Sequence, residues 1–258
     1  MLIVLALLAA LDPYDRAAEK VQFPDDEALR QWSMKSEAHR KLILVISDRR
    51  AWARAFEIVD QRLGLFPANP EIRVTIEDSD DKRPACSAGK EGRGIVRFNM
   101  RHLAAYQEKI DEFDREKKAG KAVKWVVPPM RLEAVIPHEL THLVCGGAED
   151  LWVAEGLASY AASDDYVFYK FNHSKSRVDT LDRVVPEDDS YARGMSFLQW
   201  LEMERGADAV RSFAKKVSRE GVPPSKAAAD VAGQPWEKLV LIEKTWSAEH
   251  IAQFKTVP

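Results

Sequence analysis

Hydrophobic and polar residues change rhythm along this chain. Between Pro24 and Leu63 the apolar positions, among them Leu42, Leu44, Val45, Trp52, Ala55, Phe56, Val59 and Leu63, recur at helical spacing. LILVI, 42–46, would pass for a strand if read alone, but within the longer run it reads as helix. Pro24-Asp25-Asp26-Glu27 opens the first helical segment with acids where the helix dipole favours them. In EIRVTIED, 71–78, the period shortens to two: Ile72, Val74 and Ile76 alternate with polar residues and predict a half-buried strand. SDDKRP reads as the turn after it and GIVRFN, 94–99, as a second strand. A charged helix follows over about 103–118, then a Gly-Lys break and the apolar WVVPP.

From Arg131 onward helical patterns dominate. They cover 131–145, stopped by Gly146-Gly147, then 151–162, 191–205, 208–219, 224–231 and 235–252. The polar stretch 163–190 reads as a long loop. This order predicts an α+β protein, with a small β-sheet and helices in the N-terminal half and a mainly helical C-terminal half. The expected portions are 24–130 and 131–258, joined as one continuous domain.

Composition narrows the classes. With 258 residues, 46% hydrophobic and 31% charged, the chain can bury a sizeable core and is globular rather than disordered. A net charge of −3 gives no basic face for nucleic acid. The first eleven residues, MLIVLALLAAL, are too short for a membrane span, which takes roughly 20 residues. They match the apolar core of a secretory signal, with Ala9 and Ala10 near a cleavage point, although no Lys or Arg precedes Arg16. The expectation is export to the periplasm or the extracellular space. Export permits a disulfide between Cys86 and Cys145, and sequence leaves open whether they meet or are buried small hydrophobes.

The chemistry concentrates in AVIPHELTHLVCGG, 134–147. Four helical residues bring the chain round to nearly the same direction, so His138 and His142 project side by side and can share one zinc ion. Glu139, next to them, is placed to take a proton from metal-activated water. Two histidines on a helix also occur as surface or core residues, so the motif needs a third ligand. Glu155 supplies one: it lies in LWVAEGLASYAA, apolar almost all round, where a carboxylate is costly unless paired or metal-bound. Cys145, one turn beyond His142, is the weaker alternative.

HELTH followed by WVAEGLASY resembles the gluzincin metallopeptidases of the peptidase MA-like group, whose signature is HExxH with a later W-x-x-E-G-x-A. YARGMSFLQWLEMERG and GQPWEKLVLIEKTW are similar to the later helical segments of these enzymes, and the basic secretory protein-type peptidases share much of the layout. The resemblance covers about 131–250. It implies a zincin-like fold, one Zn2+ held by His138, His142 and Glu155, Glu139 as general base, and a peptide or protein substrate. Tyr191 matches the tyrosine that faces the substrate oxyanion, with Tyr160, Tyr166 and Tyr169 as rivals. Asp150, Asp164 and Asp165 are the candidates for hydrogen bonds to the histidines.

The departures matter as well. The spacer before Glu155 is short, and GIVRFN puts Arg97 where aminopeptidases of this clan carry the acid that binds a free amine. The expectation is therefore an endopeptidase, with GIVRFN pairing to an extended substrate through its backbone and 163–190 forming a wall of the cleft. The alternative is an inactive zincin-fold module that binds peptides or cell-envelope partners. A third reading is a helical structural domain with a coincidental motif.

Overall fold

A computed structural model describes residues 12–121, 131–146, 150–162 and 187–254, without the side chains of 187–192 and 250–254. In chain order its elements are α1 (Pro13–Ala18), β1 (Val21–Gln22), α2 (Asp26–Ser33), α3 (Glu37–Ile46), α4 (Arg49–Leu63), β2 (Glu71–Glu77), β3 (Ala85–Lys90), β4 (Arg93–Asn99) and α5 (Met100–Lys118). Then come α6 (Leu132–Cys145), α7 (Leu151–Ala162), α8 (Glu187–Arg205), α9 (Ala207–Ser218), α10 (Pro224–Ala232) and α11 (Trp236–Phe254). The class is α+β, with the sheet and several helices in the N-terminal half and a mostly helical C-terminal half. Two compact units emerge: Met1–Val59 with Phe66–Val144, and Asp60–Leu65 with Cys145–Pro258. Among the described residues no helix is long and apolar enough to cross a membrane.

The first unit is built on a four-stranded sheet of order β1-β2-β4-β3. β2 and β4 are the two strands legible in the sequence, and they run parallel, with Ile72 opposite Gly94 and Val74 opposite Val96. Parallel neighbours need a connection that returns the chain to its starting end. Here that return is β3, which lies on the far side of β4 and pairs with it antiparallel. The loop carrying the chain from β2 to β3 is stitched down by buried Asn99, whose Nδ2 donates to the carbonyl oxygens of Asp81 (2.8 Å) and Ser79 (3.1 Å). β3 and β4 are joined at Glu91 and Gly92, whose φ values of 55° and 77° give the left-handed turn that suits strand twist. Trp52 anchors the core: its Nε1 donates to Ile46 O, and its ring meets Phe98 edge-on at 6.4 Å.

Capping residues explain the early helices. Asp25 Oδ1 accepts from Ala28 N at the start of α2, and Ser36 Oγ accepts from His39 N at the start of α3. The apolar run expected as one helix from His39 to Leu63 is two helices, α3 and α4, separated at Ser47 and Asp48. LILVI is helical, as its context required. α1, β1 and β3 carry no clear apolar period, and the pattern did not predict them.

The second unit is a helical assembly in which α7 and α8 touch backbone to backbone. A Cβ on Gly194 would stand 1.9 Å from Trp152 O, so only glycine allows this approach. Trp152 then packs face-on to Phe213 (6.2 Å) and Trp236 (6.1 Å) and edge-on to Phe197 (5.5 Å). α8 begins at Glu187, four residues before the Tyr191 start read from the pattern. The segments WVVPP and 163–186 lie outside the described residues.

Candidate metal centre

α6 is apolar on most of its circumference, with Val135, Ile136, Leu140, Leu143 and Val144 buried. Such a helix belongs inside a protein, so any polar side chain it carries must be satisfied there. Pro137 interrupts its interior, removing one backbone donor, and buried Thr141 sends its Oγ1 back to Pro137 O at 2.7 Å. The hairpin turn is tied to the last helical turn: Gly92 N donates to Leu143 O at 2.9 Å.

The four-residue spacing does what helix geometry requires. His138 is buried and His142 half-buried, and their rings stand 4.9 Å apart, nearly perpendicular at 79°. Their Nε2 atoms face each other at 3.2 Å. Two nitrogens on a tetrahedral zinc, each about 2.05 Å from the ion, stand about 3.3 Å apart. The histidine pair therefore has the spacing of two zinc ligands. Glu155, half-buried on α7, completes the group: one carboxylate oxygen and one nitrogen from each ring lie within 4.8 Å of one another. The donor set of two imidazoles and a carboxylate is one that catalytic zinc takes, with a position left for water. These residues fit a single divalent ion.

Glu139 is almost fully buried, with 6% of its surface exposed. Ser87 of β3 donates from Oγ to Glu139 Oε2 at 2.9 Å. Sequence reading missed Ser87 entirely, because a serine in SAGKEG carries no signal of its own. Its face of the strand does carry one. Ser87 pairs with Val96, which is fully buried, whereas its neighbour Cys86 pairs with Arg97, which is exposed. Successive residues on a strand point to opposite faces. Arg97 thus stands on the face of the sheet away from Ser87.

The expected substrate strand is corrected too. β4 is hydrogen-bonded on both sides, to β2 and to β3, and has no edge to offer. Among the described residues the edge strands of the sheet are β1, only two residues long, and β3.

Other candidates sort as follows. Cys86 and Cys145 are both free thiols, and Cys145 is not in the metal-ligating group. Burial pushes the Cys145 thiol up to about 11, and burial raises half-buried Cys86 as well. Tyr160 is hydrogen-bonded to Glu202 and lies under the Arg62 guanidinium; burial and that carboxylate raise its pKa far above the ordinary phenol range. Tyr160 is therefore held within its own unit. The side chain of Tyr191 lies outside those described, as do Tyr166, Tyr169, Asp164 and Asp165. Asp150 is exposed, and its carbonyl oxygen accepts from Val153 N and Ala154 N at the start of α7.

No protein-family model, curated protein or solved structure matches this chain. Its own geometry carries the assignment: the His138, His142 and Glu155 group on helices fits a zincin-like HExxH…E site able to hold one metal ion, which suggests a metalloenzyme.

Proposed function

We propose that this chain is an exported zinc metallopeptidase of the gluzincin kind, with its catalytic portion at 131–258, cutting within peptides rather than at a free amino end. The observation that carries the reading is a buried carboxylate, Glu139, next in sequence to His138 of the His138, His142 and Glu155 group. His138, His142 and Glu155 would hold the zinc, which would supply Lewis-acid chemistry at the scissile bond. Glu139 would take the proton from the attacking water at its carboxylate and return it to the leaving amine. Tyr191 is proposed to donate its phenol proton to the oxyanion as charge develops. β3 is an edge strand among the described residues, and an edge strand can offer backbone donors and acceptors to an extended peptide, which suits a peptide substrate better than a small molecule. No acid lies at Arg97 to hold a substrate amine, which favours internal cleavage.

The test compares wild type with Glu139→Gln by metal analysis and by cleavage of an unstructured protein substrate. Both should retain one zinc per chain, and the variant should lose cleavage by at least the roughly 100- to 10,000-fold that a general base contributes. Equal cleavage by the two proteins would remove Glu139 from the mechanism.

A further inference from the structure

We infer that Ser87 is a positioning residue for the general base, coupling Glu139 to the strand edge on which a peptide would lie; the inference rests on the peptidase reading of Glu139. A carboxylate on a helix keeps several rotatable bonds, and a base that wanders by an ångström loses much of its effect. Here one oxygen is tied down. Ser87 Oγ donates to Oε2 at 2.9 Å, a hydrogen bond to a group that is charged when it acts as base. Proton transfer is thereby assigned to Oε1.

The position of Ser87 is itself determined twice. Val96, its partner across the ladder, is fully buried, and this fixes the face on which Ser87 stands. The β3–β4 turn is then held on α6 through Gly92 N and Leu143 O, 2.9 Å apart. Leu143 is four residues beyond Glu139, one helical turn further along. Hairpin and helix are thus joined at two successive turns, once through backbone and once through Ser87. The arrangement makes the base and the edge strand β3 one rigid piece, so a peptide paired to β3 is registered against Oε1.

Variants at Ser87, alone and combined with changes at Glu139, test this in the full zinc-loaded chain. Ser87→Ala should lower kcat by about 10- to 100-fold, the range typical of supporting partners in metal sites, with KM and zinc content unchanged. Ser87→Thr and Ser87→Val have nearly the same shape and differ in the hydroxyl, so Thr should restore most of kcat and Val should not. In a Glu139→Gln background, Ser87→Ala should cause no further loss of activity. A readout independent of turnover comes from urea unfolding: Ser87→Ala should lower the midpoint in the wild-type background and leave it unmoved in a Glu139→Ala background. Wild-type kcat in Ser87→Ala, equal activity of Thr and Val, or a loss explained by zinc content overturns the role of Ser87. A wild type that binds no zinc and cleaves nothing overturns the peptidase reading itself, a result distinct from an active, zinc-loaded enzyme that tolerates Ser87→Ala.

Discussion

Arg193 and Glu243 are fully buried in the helical unit, where they form an ion pair of opposite charges. Ser247 Oγ donates to Glu243 Oε1 at 2.5 Å, and Ser196 Oγ lies 2.6 Å from Ser247 Oγ. His138, His142 and Glu155 form a second gathering of polar groups on helices, composed of metal-ligating side chains with no lysine or arginine among them. The first set offsets buried charge with the opposite charge and with hydroxyl donors, the usual condition for a buried pair. The second aims nitrogen and oxygen ligand atoms at one small volume, which suits a cation from outside the chain. Burial alone does not separate a structural polar cluster from a binding site; the chemical sign of the gathered groups does.

The largest expected effect would break the second set. His142→Ala or Glu155→Ala should weaken zinc binding by more than the roughly 100-fold lost with an outer-shell partner, as measured by competition with a chelator. Wild-type affinity in either variant would take that residue out of the donor set. Breaking the first set should act on stability and leave zinc stoichiometry alone. Arg193→Met should cost about 3–5 kcal/mol in urea unfolding, because Glu243 is left as an uncompensated buried charge. The double change Arg193→Met with Glu243→Leu should recover most of that loss, and a double variant as unstable as the single would contradict a paired origin. The smallest effect concerns Cys145, three residues beyond His142 and outside both sets. Its folded thiol stays protonated up to about 11 against an ordinary 9.0, so the unfolded chain ionises first as pH rises. Its contribution is therefore complete below pH 9 and lost between pH 9 and about 11, by roughly 2–3 kcal/mol in total. Unfolding of Cys145→Ala across that window should lack this slope. A thiol that instead titrated near neutrality would belong with the metal ligands.

Much of the site was readable because its information is local. The turn from His138 to His142 needs only helix geometry, and Glu155 announced itself as an acid in an apolar helix. β2 and β4 showed the two-residue alternation of half-buried strands. β3 did not, since ACSAGK is made of small residues and only Ala85 among them is buried. Ser87 inherits that silence. Arg193 and Glu243 were equally unmarked, lying fifty residues apart on two different helices. The long apolar run 39–63 concealed its break at Ser47-Asp48, because hydrophobic period continues across a short interruption that the backbone does not.

Sequence by itself determined where most of the helices lie, that the two histidines share a helix face, and that a carboxylate sits where an apolar helix has no use for one. Those properties follow from dihedral geometry over a few residues. Only tertiary structure decided that β2 and β4 run parallel, that β3 is an edge strand of the described sheet, and that a serine there holds Glu139 across 52 positions of chain. Such pairings depend on how whole elements pack, and no period along the chain records them.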